Sequence, residues 1–416
     1  MRALDASEAL WDRAQRAIPL GTQTLSKSPT QFVDGVSPKF LARGAAGHVW
    51  DVDGNEYVDW PMALGPILLG YDEPAVSAAA IEQLRAGTTF TLMHPLEVEV
   101  AEALIDVIPC AEQVRFAKNG ADATGGAVRA ARALTGREHV VACGYHGFHD
   151  WYIASTERND GVPRHDAELI ASVPFADLDA LGAALGPDVA AMIMEIPGTE
   201  PPDGYLQAAI DLAHDAGALF ILDEIVTGFR YALGGAQALF GIRPDLACFG
   251  KGMANGFPLA AVVGSADAMR AFERVFFSMT YSGEAVSLAA ALATLKLLRE
   301  EPVIERLWAL GTELRRGLAD LVAAAEFDVA LLGNPPRSAL QFASQELRGL
   351  WLQETHKRGV LFGGPMFPCY RHTDEDVRQT LQAAAAAFAL MGEAHASGDY
   401  DRFLEGPAPG TVFRSH

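Results

Sequence analysis

The chain has 416 residues, half of them hydrophobic, and carries 53 acidic against 32 basic side chains, for a formal net charge of −21. Because a single hydrophobic core rarely extends beyond roughly 300 residues, this length predicts two domains. So acidic a surface repels nucleic acids and anionic membranes, and we expect neither as a partner.

The N-terminal segment predicts a helix. Apolar residues recur at helical spacing over residues 3–17, and Pro19 ends the pattern. The segment carries acidic residues where a signal peptide has a positive start and then an apolar run. No apolar stretch reaches the ~18 residues that a membrane span requires. We therefore expect a cytoplasmic protein without a membrane partner.

After the N-terminal helix, the sequence predicts strands, which come first without helices between them and then in alternation with helices. Residues 40–60 predict two short strands joined at Asp53-Gly54, a pair typical of hairpin turns. Between residues 74 and 290 we predict strands at 114–117, 138–142, 190–195, 218–222, 246–249 and 260–264, with helices at 96–108, 121–134 and 205–216. Such alternation indicates a mainly parallel sheet covered on both faces.

The pattern of predicted elements changes in the last third of the sequence. Residues 285–325 are strongly helical, residues 333–336 (GNPP) mark a turn, and short strands precede a helix over 374–392. The predicted fold class is therefore α/β, with a mainly parallel sheet in a large domain and a smaller α+β domain. We place the N-terminal segment that joins the small domain at 1–55, the large domain at 56–290 and the small C-terminal domain at 291–416.

The cysteines give no sign of a metal site. They lie far apart, without a C-x-x-C pair and without a histidine cluster beside them: Cys110, Cys143, Cys248 and Cys369. We therefore expect neither a structural metal nor a disulfide framework. Isolated cysteines of this kind are typical of small buried side chains in a reducing compartment.

Two carboxylates, Asp223 and Glu224, end the predicted strand 218–222. Asp223 thereby lies at the carboxyl edge of the sheet, where α/β proteins bind ligands. It could hold Mg²⁺ beside a nucleotide, pair with a cofactor nitrogen, or simply cap a helix. Nucleotide hydrolysis requires a G-x-x-x-x-G-K-[ST] loop, which the sequence lacks. That function is therefore excluded.

Lys251 directly follows the predicted strand 246–249 and lies between Gly250 and Gly252. Most lysines are solvated surface residues. The apolar strand before Lys251 and the apolar residues 259–263 after it direct this lysine inward. Desolvation lowers the pKa of a lysine amine and lets it attack a carbonyl carbon.

Two further segments complete a pattern. Residues 119–122 open a predicted helix after a strand, which suits an anion such as phosphate, although an ordinary strand–helix turn looks the same. Residues 143–152 place aromatic side chains after another strand, either to stack on a planar ring or to pack in the core. Together with Asp223 and Lys251, these segments supply what pyridoxal 5′-phosphate (PLP) needs: a phosphate site, a ring face, a carboxylate for the pyridine nitrogen and a lysine for the aldehyde.

The same segments resemble the class III (fold type I) PLP-dependent aminotransferases, and within them the glutamate-1-semialdehyde 2,1-aminomutase branch. The resemblance covers nearly the whole chain, from AGHVWDVDGNEYVDW to YRHTDEDVRQT. The motifs that match in order and spacing are KNGADATGGAVRAARALTG, GYHGFHD, LDEIVTGFR, GKGMANGFPLAAVVG and MTYSGEAVSLAAA. The resemblance implies a fold type I enzyme with PLP as its cofactor.

Roles in catalysis follow from the resemblance by position. Lys251 would form the Schiff base with the cofactor aldehyde and then move the substrate proton. Asp223 would pair with the pyridine nitrogen and keep it protonated. Glu195 lies where relatives place an acid near a cofactor oxygen or the substrate.

The resemblance also implies the residues that hold the cofactor. They are Gly120, Ala121, Tyr145, His146, Asp223, Val226 (or its neighbour Ile225), Lys251 and Thr280. Gly120 and Ala121 would bind the phosphate through backbone N–H groups, Tyr145 would stack on the ring with His146 nearby, and Val226 would cover the opposite ring face. Thr280 would reach the phosphate of the neighbouring subunit, which implies a homodimer with active sites at its interface.

Three positions depart from the family pattern. Ala121 stands where relatives commonly have serine or threonine, so a hydroxyl contact worth about 1 kcal/mol is missing. Glu284 replaces the asparagine of the usual S-G-N-P sequence. The segment GFHDWY at 147–152 also differs from the aminomutase-like GHAD, which indicates that the substrate is not glutamate semialdehyde.

We therefore predict an aminotransferase that moves an amino group from a small-molecule donor, L-glutamate, to an aldehyde or ketone. The alternatives are an intramolecular aminomutase and a catalytically silent protein of the same fold, against which the intact Lys251 and Asp223 argue. Arg43, Arg230 and Arg371 are candidates for binding a substrate carboxylate. Residues 22–32 are candidates for lining the substrate entrance.

Overall fold

The computed structural model describes residues 2–410. Within them the α-helices α1 to α13 are, in chain order, Asp5–Ala17, Pro74–Ala86, Pro95–Val107, Gly120–Thr135, Asp150–Ile153, Leu178–Ala184, Tyr205–Asp215, Ala236–Phe240, Ala266–Met269, Ala285–Glu300, Val303–Ala324, Gln345–Lys357 and Asp374–Ser397. The strands β1 to β13 are Leu41–Ala45, His48–Asp51, Glu56–Asp59, Gln113–Ala117, His139–Cys143, Ile170–Ser172, Val189–Glu195, Leu219–Asp223, Leu246–Phe249, Ala260–Gly264, Val329–Asn334, Arg337–Phe342 and Val360–Leu361.

The chain divides into two units. The first contains the described residues up to 64, then 68–73 and those from 305 onward; the second contains 65–67 and 74–304. The domain limits at residues 55 and 290 stay predictions.

A seven-stranded sheet with the order β4-β10-β9-β8-β7-β5-β6 forms the centre of the second unit. The ladders that join β9, β8, β7, β5 and β6 are all parallel, and β10 alone runs antiparallel to its neighbours β4 and β9. Strand β10 is buried along its whole length, and β7 is buried up to Glu195. Strands buried on both faces are the hallmark of a covered parallel sheet, so the predicted α/β class with a mainly parallel sheet is confirmed.

Six strands of this sheet, all except β10, end at the same edge. The reversed strand β10 begins there, because Ala260 pairs with Ala117 of β4 and Ala261 pairs with Phe249 of β9. Glu195 pairs with Asp223 where β7 and β8 end. The chain segments that follow β4, β5, β7, β8 and β9 therefore emerge side by side. Of the catalytic residues predicted from the sequence, Glu195 and Asp223 end β7 and β8, and Lys251 lies on the segment after β9.

The first unit contains a four-stranded sheet with the order β1-β2-β3-β13. Three strands, rather than the predicted two, occupy residues 40–60, because Ala46 adopts a left-handed φ of 52° and splits the first strand. The hairpin at Asp53-Gly54 forms as predicted, with Gly54 at φ 88°. The apolar core of this unit lies among α11, α12 and α13 and includes Trp60, whose indole N–H donates to Thr380.

The last third of the chain follows the predicted order. Pro302 separates α10 from α11 within the region predicted to be helical, because proline lacks the N–H that a helix interior requires. The predicted turn 333–336 joins the hairpin strands β11 and β12. No helix of the described chain is long and apolar enough to cross a membrane. The cytoplasmic location stays a prediction.

Asp59, at the end of β3, gives the first unit a pH-dependent stability. Its carboxylate is 2 % exposed and accepts a hydrogen bond from the Tyr71 hydroxyl at 2.6 Å. Burial raises the pKa of Asp59 from 3.8 to about 6, and the hydrogen bonds from Tyr71 and Met62 offset the burial only in part. Since the folded pKa exceeds the unfolded one, protonation favours the folded state. This contribution is full below about pH 4 and is lost as the pH rises through about 6, at about 3 kcal/mol for a shift of this size.

We expect Asp59→Asn to remove this loss, because the amide stays neutral and keeps one acceptor oxygen for Tyr71. The thermal midpoint of the variant should exceed that of the wild type at pH 8 and approach it at pH 4, measured by circular dichroism. Asp328→Asn, at an exposed carboxylate, is the control. An equal loss of stability between pH 4 and pH 8 in wild type and Asp59→Asn would show that Asp59 is not the source.

Candidate active site

The α4 turn, residues 118–121, connects the end of β4 to the start of α4. Asn119 caps the helix, and its backbone N–H donates to the Asp122 carboxylate at 2.8 Å. Helix α4 is 16 residues long, and the first N–H groups of a helix have no partner within the helix. The N–H groups of Gly120 and Ala121 therefore belong to a helix end that favours an anion.

Asp223 lies at the end of β8 and is fixed by two donors. Its Oδ2 lies 2.8 Å from Nδ1 of His146, and its Oδ1 accepts a hydrogen bond from the Ile225 N–H at 3.0 Å. The side chains of His146 and Asp223 are 0 % and 4 % exposed. The carboxylate therefore has a defined orientation, and both groups are shielded from water.

His146 is itself held by aromatic neighbours that the sequence analysis did not single out. Its ring stacks near Trp151 with an interplanar angle of 19° and meets Tyr152 edge to face at 5.3 Å. The Thr124 hydroxyl donates to the His146 carbonyl at 2.7 Å. The other ring nitrogen of His146, Nε2, is buried and has no hydrogen-bond partner among residues 2–410, so it is available to a bound group.

Lys251 follows β9 in a strained backbone conformation. Its φ is 42°, in the left-handed region that non-glycine residues rarely adopt, and it opens a single turn of 3₁₀ helix at Lys251–Ala254. Such strain is concentrated at functional sites, where the surrounding structure imposes it. The side chain is partly buried, which agrees with the inward direction predicted from the sequence.

Ile225 lies between the α4 turn and the residue before Lys251. A Cβ atom at Gly120 or at Gly250 would lie 3.1 Å from the Ile225 side chain, closer than ordinary van der Waals contact. Glycine at both positions therefore lets two backbone segments approach the same side chain. This contact brings the ends of β4, β8 and β9 together, and it involves Ile225, the residue named as the alternative to Val226.

Tyr145 and Glu195 lie at the ends of β5 and β7. The Tyr145 N–H donates to Oε2 of Glu195 at 3.3 Å, and the Tyr145 ring meets Tyr152 edge to face at 5.6 Å. Burial raises the pKa of Tyr145, and the charges of Glu195 and Asp223 add to that rise. The ring of Tyr145 is half exposed, so one of its faces is accessible to a ligand.

The chemistry of these groups fits PLP. An amine, a buried carboxylate, helix N–H groups and an exposed aromatic ring lie on segments that leave the same sheet edge. The glycine contacts at Gly120 and Gly250 bring two of these segments against Ile225, and the unpaired Nε2 of His146 is available to a bound group. Thr280 lies elsewhere and is exposed, in the loop 276–284 before α10.

The three arginines proposed for a substrate carboxylate occupy different surroundings. Arg371 already binds Glu73 through two hydrogen bonds of 2.7 and 2.9 Å. Arg43 lies over the Trp50 ring at 3.7 Å. Arg230 is 1 % exposed and donates to the Gly65 carbonyl at 2.9 Å. The proposed entrance segment 22–32 forms two short 3₁₀ turns, Leu25–Lys27 and Pro29–Gln31.

Comparison with known proteins places these features in context. A family model described as aminotransferase class-III matches residues 33–387. The 3-aminobutyryl-CoA aminotransferase of Cloacimonas acidaminovorans is 36 % identical over 407 residues, which cover 93 % of this chain and 97 % of the relative. The glutamate-1-semialdehyde 2,1-aminomutase of Methanothermobacter thermautotrophicus is 34 % identical, with coverage of 91 % and 97 %. The FumI protein of Sphingopyxis sp. MTA144, solved in a PLP form, superposes with a TM-score of 0.88 at 32 % identity, with coverage of 94 % and 97 %.

Proposed function

This chain belongs to the class III aminotransferase family, whose members are fold type I enzymes dependent on PLP, and on that premise we propose that it transfers an amino group from L-glutamate to an aldehyde or ketone. The observation that carries the proposal is the placement of Lys251 and of the His146-bound Asp223 after neighbouring parallel strands. The alternative is an intramolecular aminomutase, the activity named for one of the relatives. The segment GFHDWY favours the aminotransferase.

In this proposal, Lys251 and Asp223 divide the proton chemistry. When bound, PLP supplies an electron-accepting ring that stabilises the charge left when a substrate loses its α-proton. The Nζ atom of Lys251 would bond to the cofactor aldehyde and, once free, would accept the substrate α-proton and return it. The Asp223 carboxylate, oriented by Nδ1 of His146, would keep a proton on the pyridine nitrogen.

Other residues would bind the cofactor and the substrate. The N–H groups of Gly120 and Ala121 would hold the phosphate at the start of α4. Tyr145 would cover one ring face, and Ile225 or Val226 the other. The Glu195 carboxylate, which accepts the Tyr145 N–H, would lie near the substrate.

We also propose that the enzyme is a homodimer in which Thr280 reaches the partner's phosphate. Large apolar side chains are exposed on two loops of the second unit: Phe90, Leu92, Met93, Phe276 and Tyr281. The loops are neighbours, because the Ala285 N–H donates to the Thr88 carbonyl at 2.8 Å. Monomeric proteins rarely expose large apolar patches, and a second copy of the same chain would cover this one.

The mass in solution tests the dimer. Light scattering should give twice the 44.4 kDa of one chain, and Leu92→Asp should shift the protein toward the monomer because a buried charge opposes association. Leu332→Asp, at an exposed leucine of β11, should leave the mass unchanged. A monomeric wild type would contradict the proposed dimer.

A single-turnover experiment separates the two activities. The loaded enzyme, mixed with L-glutamate and no acceptor, should release 2-oxoglutarate in a ratio of about one per subunit, since the nitrogen stays on the enzyme. Mass spectrometry of the oxo acid measures this. Absence of 2-oxoglutarate, together with isomerisation of glutamate-1-semialdehyde, would support the aminomutase instead.

A further inference from the structure

Three basic side chains, from β4, the α4 turn and α4, hold the loop 276–284. Nη2 of Arg115 donates to the Phe277 carbonyl at 2.5 Å, and Nη1 of Arg129 donates to the Phe276 carbonyl at 2.7 Å. Nζ of Lys118 donates to Oε2 of Glu284 at 3.0 Å. Both ends of the loop are thus fastened to the strand and helix that flank the α4 turn, and Lys118 is the first residue of that turn.

Glu284 receives donors from two directions. As the N-cap of α10 it accepts the N–H groups of Val286 and Ser287 at 2.8 and 3.1 Å, and the Ser287 hydroxyl at 2.5 Å. Burial alone would raise the pKa of Glu284, but the hydrogen bonds from Ser287 and Lys118 outweigh it and hold the pKa below its usual range. Glu284 is therefore a fully engaged anion that joins the start of α10 to Lys118.

The pair differs from an ordinary surface ion pair. The side chains of Lys118 and Glu284 are 15 % and 17 % exposed, whereas those of Arg299 and Asp106, near the other end of α10, are 37 % and 72 % exposed. Exposed pairs contribute little because water screens them. A shielded pair holds its partners in a fixed geometry, since separating them leaves a poorly solvated charge.

We propose that the Lys118–Glu284 ion pair is a positioning device for the cofactor phosphate, which fixes the α4 turn against the start of α10. The inference rests on the proposed function, because the turn is the proposed phosphate site. Lys118 acts through the backbone of Asn119, Gly120 and Ala121, which follow it directly. The alanine at position 121 makes a fixed backbone important, because alanine offers the phosphate only a backbone N–H donor and no hydroxyl.

In the proposed dimer, the Lys118–Glu284 ion pair also bears on the cofactor site of the partner subunit. Thr280 lies on the loop that the three basic residues hold, four residues before Glu284. The single Lys118–Glu284 interaction would therefore position two groups: the phosphate donors of its own subunit and the threonine that reaches the partner's phosphate.

Two substitutions and their combination test the inference. Lys118→Met keeps most of the apolar stem, and Glu284→Gln keeps an acceptor for the start of α10. Each should release PLP about tenfold faster from the loaded dimer, and the double variant should release it no faster than either single one, because both remove the same interaction. Release is followed by absorbance after transfer to buffer without PLP. Arg299→Gln, on the same helix, should release PLP at the wild-type rate.

Amide hydrogen exchange provides a readout that is independent of activity. In the loaded enzyme, exchange at residues 119–123 should rise in both single variants and stay unchanged in Arg299→Gln. If Lys118 instead bound the phosphate directly, Glu284→Gln would free the lysine and slow the release of PLP, which would overturn the inference. Wild-type release rates in both variants would overturn it as well while leaving the proposed function intact. Failure of the proposed cofactor site would differ, since the wild type itself would then carry no PLP on Lys251.

Discussion

Replacement of Lys251 by alanine is expected to abolish turnover, with kcat lower by about 10⁴-fold or more, because the general acid–base step alone accounts for 10²–10⁴. The proposed function gives this lysine two tasks. Its amine would bond to the cofactor aldehyde, and the same Nζ atom would move the proton. The loss should therefore exceed that expected for proton transfer alone.

The fold should survive this substitution. Alanine meets the same left-handed φ of 42° that lysine already adopts, so the backbone strain is unchanged. The thermal midpoint checks the fold, and steady-state release of 2-oxoglutarate with a carbonyl acceptor checks the activity. Lys296→Ala, at an exposed lysine on α10, should be fully active. Turnover in Lys251→Ala within tenfold of the wild type would contradict the assigned role.

Asp223→Asn is expected to lower kcat by about 10²–10⁴-fold. The substitution preserves the shape of the side chain and an acceptor for the Ile225 N–H, so the site should keep its structure. The amide carries no negative charge, and it cannot hold a proton on the pyridine nitrogen as a carboxylate does. The electron-accepting power of the ring should fall, and with it the rate at which the substrate loses its α-proton.

A histidine–aspartate pair beside the opposite edge of the same sheet provides a control. His214 and Asp245 lie 2.8 Å apart, nitrogen to oxygen, and Asp245 precedes β9 at the amino edge of the sheet. Asp245→Asn should therefore disturb a histidine–aspartate contact without any effect on the chemical step. The measurement is the first-order rate of the reaction with L-glutamate, monitored through the change in cofactor absorbance. It should fall in Asp223→Asn and stay at the wild-type value in Asp245→Asn. An Asp223→Asn rate equal to that of Asp245→Asn would place the pyridine nitrogen elsewhere.

Much of the fold was predictable because it depends on local patterns. The strands at 190–195 and 246–249 and the helix at 121–134 were located within a residue or two, since apolar runs and helical periodicity are local properties. The direction of β10 was not predictable, because a fully buried strand has the same pattern in either direction. The turn at Ala46 was missed because alanine carries no signal for a left-handed conformation.

The site was predictable to the level of segments. Asp223 and Lys251 follow the predicted strands 218–222 and 246–249, so the expectation of a common edge followed from the parallel sheet. The contact of His146 with Asp223 and the pairing of Lys118 with Glu284 join distant parts of the chain. No local pattern encodes such contacts. Glu284 was visible in the sequence only as a departure from S-G-N-P, without its partner.

The most direct test of the account is to locate the cofactor. Borohydride reduces the bond between a lysine amine and the PLP aldehyde to one that survives digestion, and peptide mass spectrometry then identifies the modified residue. We predict a single modified peptide that contains Lys251, and loss of the yellow absorbance band when the loaded enzyme first meets L-glutamate. Label on another lysine, or none after incubation with PLP, would contradict the central claim.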